Sequence, residues 1–241
     1  ARVLFPLREV VVPPRLLAPP PPVDPERPDQ GPESSLGVLP NLPDWTTLSG
    51  IYGGPSLSLA EVVNSGASVL LTGELGTGKS TALAFLALRA CTADHGTPPR
   101  FPVLVHASDF RREHLDARDP LETLIAAAQQ GVPSNLTATV AANLRASART
   151  QRILLLLDGL DELHPIELPA FGAWLAQFTS TYPGCAVVAA GPAAGYDGLV
   201  QAGLTPAPLS PWTEHDRRVF LSRCDYDVPL ERVTGRRHLM R

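Results

Sequence analysis

Lysine is almost missing from this 241-residue chain: of its 20 basic residues only Lys79 is one. The chain otherwise uses arginine, a broad planar fork, where lysine is a compact point charge that nestles among phosphate oxygens. Strong charge of either sign is missing too. A net charge of −4 supplies no basic field for capturing nucleic acid. No apolar run approaches the roughly 20 residues that an α-helical membrane span needs, and no N-terminal stretch shows the charged, apolar, small-residue order of a signal peptide. Cysteine is scarce: Cys91, Cys185 and Cys224 are scattered without metal-ligand spacing. That usage suits a reducing, cytoplasmic setting, with all three expected as buried, unreactive thiols.

Proline, by contrast, is abundant and unevenly placed. Of 26 prolines, 13 precede Ser56, including Pro19–Pro22 and the run from Pro25 to Pro32. Residues 1–55 therefore read as an extended arm or linker of polyproline II character, with Val10–Val12 as one candidate edge strand. From Ser56 onward apolar runs alternate with helical patterns. Ser58-Leu-Ala-Glu61 reads as a capping box opening a short helix that stops near Gly66. Ala67–Thr72, Pro102–His106, Ile153–Leu157 and Cys185–Ala190 read as strands. Helices are expected over Ser80–Ala90, from Asp119-Pro120 onward, along the stripe Phe171, Trp174, Leu175, Phe178 and Tyr182, and from Thr213. The helix over Ser80–Ala90 is apolar nearly all round, which predicts burial on more than one side. Alternation of this kind predicts an open α/β domain over 56–225 with parallel strands and helices on both faces. Residues 226–241 read as an irregular basic tail.

Gly73-Glu-Leu-Gly76-Thr77-Gly78-Lys79-Ser80 fills every fixed position of a phosphate loop between a strand and a helix. Its glycines let successive N–H groups turn inward, and the following helix aims its positive end at the same anion. Lys79 is expected on the β- and γ-phosphates, and Ser80 on Mg²⁺. A second acidic motif, Leu154-Leu-Leu-Leu-Asp158-Gly159-Leu160-Asp161-Glu162, complements it. Asp158 stands at the C-terminal end of a buried strand, where ligands of open α/β sheets collect, as a second magnesium residue. Asp161 or Glu162 lies close enough to orient or deprotonate a water. A guanine-reading Asn-Lys-x-Asp motif is excluded by the single lysine. His164 either approaches the nucleotide or occupies the loop before Pro165; no histidine shows metal spacing.

Together the two motifs resemble the NACHT group of signal-transducing P-loop ATPases, the STAND class, over roughly Leu57 to Cys224. That resemblance rests on an apolar strand followed by Asp158-Gly159-Leu160-Asp161-Glu162. It extends to the strand Phe101-Pro-Val-Leu-Val105 and to Leu209-Ser-Pro. It implies ATP or ADP with Mg²⁺, phosphate contacts from Gly73, Gly76, Thr77, Gly78, Lys79, Ser80 and Thr81, magnesium on Ser80 and Asp158, and water handling by Asp161 or Glu162. It also implies a nucleotide-operated switch that self-associates when ADP gives way to ATP, coupled to sensor and effector partners, as in immunity or anti-phage defence. Two departures stand out. Where the family's fourth strand ends in a small hydroxyl residue, arginine and proline, this chain has Ala190-Gly191-Pro192, so the γ-phosphate-sensing arginine is replaced by Gly191, with Arg149 and Arg152 the nearest alternatives in sequence. The family's winged-helix region and Gly-x-Pro turn do not occur before Arg241, which reads as a domain of something longer. Three functions follow: a slow or non-turning ATP/ADP switch, a scaffold whose nucleotide is structural, or an ordinary P-loop catalyst.

Overall fold

The strand ends described here come from a computed structural model that describes residues 5–17, 56–64, 66–92, 100–115, 118–164 and 166–224. The run from Pro25 to Pro32 and the tail 226–241 lie outside the described residues. In chain order the strands are β1 (Arg15–Leu17), β2 (Ser56–Ser58), β3 (Val69–Thr72), β4 (Phe101–His106), β5 (Ile153–Asp158), β6 (Ala186–Ala190) and β7 (Thr205–Pro208). Five of them form one sheet in the order β4-β5-β6-β3-β7, with every neighbouring pair parallel. This is the P-loop NTPase arrangement expected from the apolar runs: a parallel sheet with helices on both faces.

Burial along β5 explains why the sheet must be covered twice. All five residues from Ile153 to Leu157 are buried. Ile153, Leu155 and Leu157 enter one core, while Leu154 and Leu156 enter the other, because successive side chains of a strand point to opposite faces. Helices α5 (Pro120–Ala128), α6 (Thr137–Arg149) and α7 (Leu168–Thr181) supply apolar residues to the first core. That core is aromatic: Phe110 meets the rings of Phe171 and Trp174 edge-on at 5.3 and 4.9 Å, and Trp174 stacks on Phe178 at 5.8 Å. The buried indole N–H of Trp174 donates to the Pro120 carbonyl at 3.2 Å, so its one polar atom is satisfied. The opposite core, under α2 (Leu59–Asn64) and α3 (Lys79–Cys91), is wholly aliphatic.

Several local expectations hold in detail. Ser58 Oγ accepts the Glu61 N–H, and Asp119 Oδ1 accepts the Leu121 N–H with Pro120 in the first turn. Others are corrected. Helix α3 is not buried all round: Leu83, Phe85 and Leu86 face inward, but Leu88 is 40% exposed and Arg89 lies over the Phe85 ring. Cys91, in its last turn, is exposed, whereas Cys185 and Cys224 are buried. Burial pushes the Cys185 thiol up, keeping it protonated.

The strand of the N-terminal arm is not Val10–Val12. Leu7–Val10 is instead one helical turn (α1), and Arg15–Leu17 pairs antiparallel with Ser56–Ser58, burying Leu16 in the aliphatic core. Beyond β2, the arm meets the main sheet's end. Thr205 and Leu209 donate their amides to the Ser68 and Thr72 carbonyls, and the Ser210 amide turns the other way to the Arg15 carbonyl. Contacts divide the chain into two units, residues 14–210 and residues 1–13 with 211–241. The larger holds the sheet, α2 to α7, the short α4 (Arg112–Leu115) and α8 (Asp197–Gln201). In the smaller, α9 (Glu214–Arg223) opens on a capping box of Thr213 and Asp216, and Arg223 donates to the Val11 carbonyl.

Candidate functional site

Three strand tips bring the expected residues to one rim. The loop after β3 enters α3 through Gly78, whose φ of +96° is left-handed backbone that side chains disfavour. No side chain caps α3. Its first internal bond runs from the Ala82 N–H to the Gly78 carbonyl, so the amides of Lys79, Ser80 and Thr81 have no carbonyl earlier in the helix to bond. These outward amides, together with the exposed Gly76 and Thr77, make an anion cradle of the kind helix N-termini supply. Thr77 steadies the loop by donating its hydroxyl to the Glu74 carbonyl at 2.9 Å.

Lys79 is folded back into this loop and only 5% exposed. Its ammonium donates to the Gly73 carbonyl at 2.7 Å and the Glu74 carbonyl at 3.1 Å, and meets Asp161 Oδ2 at 3.0 Å. An ammonium has three protons, and here three acceptors take them. A phosphate can share this lysine only if one partner lets go. Two are backbone carbonyls fixed by the loop, whereas Asp161 is a side chain on a turn and the one free to move.

The acidic turn is built to make that contact. Asp158 Oδ1 accepts the Gly159 N–H at 3.0 Å, and the buried Leu160 pins the turn to the neighbouring strand through its amide to the Ala190 carbonyl at 3.2 Å. Glu162 N–H then closes on the Gly159 carbonyl at 3.1 Å. Asp161 is thereby sent toward the phosphate loop. Glu162 points the other way, its Oε2 lying 3.7 Å from His106 Nε2. His106 ends β4 directly across the ladder from Asp158. The sequence reading missed it; its one sequence clue was a polar residue at the C-terminal tip of a strand beside the acidic one.

Two further residues settle their places. Gly191 is buried beyond β6, and a Cβ there would come within 2.6 Å of Leu70 Cδ1. Leu70 fills the space a side chain would use, so the arginine of related proteins has no room without repacking. Arg149 and Arg152 do not replace it. They precede β5, at the opposite end of a six-residue strand from Asp158, roughly 20 Å away at about 3.3 Å per residue. His164 stays local: its amide donates to Glu167 and its Nδ1 accepts the Ile166 N–H at 3.3 Å.

A family model described as the NACHT domain matches residues 67–201, more than half of the chain. The chain belongs to the NACHT family. NACHT proteins are nucleotide-binding P-loop NTPases, and the matched span runs from the strand before the phosphate loop to α8. A second similarity, 32% identity over 164 residues, is to a nicotinate-nucleotide–dimethylbenzimidazole phosphoribosyltransferase of Salinispora tropica. It covers 61% of this chain, and the chain spans only 40% of that relative's length. Among solved structures, the Aeropyrum pernix Orc1 protein in complex with DNA is similar at 19% identity and a TM-score of 0.42, over 77% of this chain and 50% of that one. No described helix of this NACHT chain is long and apolar enough to cross a membrane.

Proposed function

We propose that this NACHT chain is an ATP- or ADP-binding signalling switch that uses Mg²⁺ and turns over slowly. The observation that carries this reading is the saturated Lys79 ammonium, drawn into the loop by two carbonyls and by Asp161. An incoming phosphate exchanges for Asp161 on that lysine, so binding is linked to movement of the acidic turn. A switch needs such a contact, made in one state and released in the other. Gly73, Gly76, Thr77, Gly78, Lys79, Ser80 and Thr81 are the phosphate residues of this reading.

For magnesium, the donor set fits. Asp158 is a carboxylate at the strand tip and Ser80 an exposed hydroxyl in the first turn of α3, both hard oxygen ligands. Magnesium retains several waters and needs few protein ligands. Held by these two residues, magnesium would offset the charge of a bound phosphate. Asp161 or Glu162 then orients the water. The residues around 56–225 serve as the nucleotide module and the proline-rich arm as its attachment. Self-association on activation, sensor and effector partners, and a role in immunity or phage defence within the cytoplasm follow from family membership as parts of the same proposal.

A titration with ADP and with ATP tests the core of it. The chain should bind both in the presence of Mg²⁺, and Lys79→Ala should weaken binding by roughly 100-fold, since charge-assisted contacts to phosphate are worth several kcal/mol. Equal affinity in the two proteins would remove the basis for the reading. Gly191 favours a second reading, a scaffold that holds nucleotide without turnover, because no arginine reaches the terminal phosphate from that strand. Equal stabilisation by ADP and ATP in thermal melts would support the scaffold; unequal stabilisation supports the switch.

A further inference from the structure

We infer that the end of the sheet opposite the phosphate loop carries a docking site for an acidic peptide of a partner protein, built from Arg100, Arg152 and Arg149. It lies apart from the nucleotide rim, so both can be occupied together.

Strand register makes the site. Phe101 and Ile153 are partners across β4 and β5, and the Phe101 amide donates to the Arg152 carbonyl at 2.7 Å. Arg100 and Arg152, each one residue before its strand, therefore stand side by side. Like charges so placed on neighbouring strands repel. Arg149 adds a third from the last turn of α6. Between that helix and β5 the chain reverses tightly: the Arg152 amide donates to the Ser147 carbonyl and the Gln151 amide to the Ala148 carbonyl, both at 2.9 Å. Gln151 is left in left-handed backbone at φ +53°, which glutamine disfavours. Its side chain is put to use, with Oε1 accepting the Gly184 N–H. An added Cβ at Gly184 would come within 2.6 Å of that oxygen. The Gly184 carbonyl in turn accepts from Arg100 Nη1 at 3.1 Å. One glutamine and one glycine thus hold the Arg100 guanidinium in place.

What that guanidinium lacks decides the ligand. Nη1 is engaged, but Nε is buried with no acceptor although the side chain as a whole is only half-buried. The edge formed by Nε and Nη2 is the one that grips a carboxylate with two parallel bonds, as Arg145 grips Glu122. At Arg100 no carboxylate fills it. Arg149 and Arg152 are exposed, and among the described residues none of the three forms an ion pair. Scarcity of acid is not the reason, since 24 acidic residues stand against 20 basic ones. Three mutually repelling guanidinia with an unused edge select a run of carboxylates, and acidic side chains along an extended peptide supply one. Nucleic acid fits less well, because a net charge of −4 repels a long polyanion beyond these contacts.

The whole chain, titrated with fluorescein-labelled hexaglutamate at low ionic strength, tests this by anisotropy. The peptide should bind, and binding should fade as salt is raised. Arg152→Glu alters a side chain with no hydrogen bond or ion pair among the described residues. It should weaken binding by roughly tenfold or more, as should Arg100→Gln. Arg100→Lys keeps the charge without the two-bonded edge and should recover only part of the loss. The Kd for ADP should be unchanged in every variant. No hexaglutamate binding, wild-type affinity in Arg152→Glu, or an altered Kd for ADP would overturn the proposal. Two further results would do the same. An oligothymidylate of equal charge that binds more tightly, and is lost in the same variants, would reassign the site to nucleic acid. Tighter hexaglutamate binding once Asp24, Glu26, Asp29 and Glu33 are neutralised would reassign it to the chain's own arm.

Discussion

Across the middle of the sheet, β5 buries five consecutive side chains without a single polar atom; one residue later the strand ends in half-exposed Asp158, and within four more come Asp161 and Glu162. Interior and rim are thus made of the same strands under opposite demands. Inside, every side chain is held by shape and by exclusion of water. At the rim, Lys79, His106 and the acids are held by a few directed contacts that another polar group can replace. Stability should therefore reside in the interior and ligand response at the rim, and substitutions can separate the two.

The largest effect should come from the interior. Trp174→Ala removes the ring that touches both Phe110 and Phe178, so a loss of about 3–5 kcal/mol is expected in denaturant unfolding. ADP affinity of the remaining folded protein should stay unchanged; a comparable fall in affinity would dissolve the distinction between interior and rim. Asp161→Asn probes the rim from the other direction. Removing the competing carboxylate should tighten ADP binding about tenfold in magnesium-free buffer, or about 1.4 kcal/mol. Weaker binding would show that Asp161 assists the phosphate instead of yielding to it.

The smallest effect lies on neither surface but on the outside of the helical layer. Arg145 clasps Glu122 with two bonds of 2.9 and 2.8 Å, and that hydrogen bonding holds the Glu122 carboxyl below its ordinary value. Its contribution is present above the unfolded-state carboxylate pKa and is lost as pH falls through the lowered native value. Both side chains are about half exposed, so solvent screens the pair. Glu122→Gln should lower the thermal midpoint slightly at neutral pH, with the difference from wild type closing as pH falls through the lowered Glu122 value. An unchanged difference there would assign the effect to packing instead of charge.

The same division decides what could be read in the sequence. The phosphate loop, the acidic motif and four of the sheet strands were legible because each is encoded by contiguous residues: glycine at fixed positions, or apolar runs ending at a polar tip. Helix α6 escaped notice because its buried stripe, Ala141, Leu144 and Ala148, is thin in large apolar residues. Strand β7 was hidden by Pro206 and Pro208, which argue against a strand anywhere except at an edge. β1 was masked in the same way by the prolines around it. His106 could not be found locally, since its place beside the acidic turn comes from the β4–β5 register and from a glycine 53 positions later.

Those edge prolines reach further than local geometry. Since alternate amides of β7 are spent on β3, the ones at positions 206 and 208 would project away from it, and proline supplies no hydrogen at either. The next outward amide, that of Ser210, is already committed to Arg15. A foreign chain seeking to accrete onto this flank would meet acceptors without donors, so the nucleotide-holding layer is insulated on that side against templated growth into fibrils.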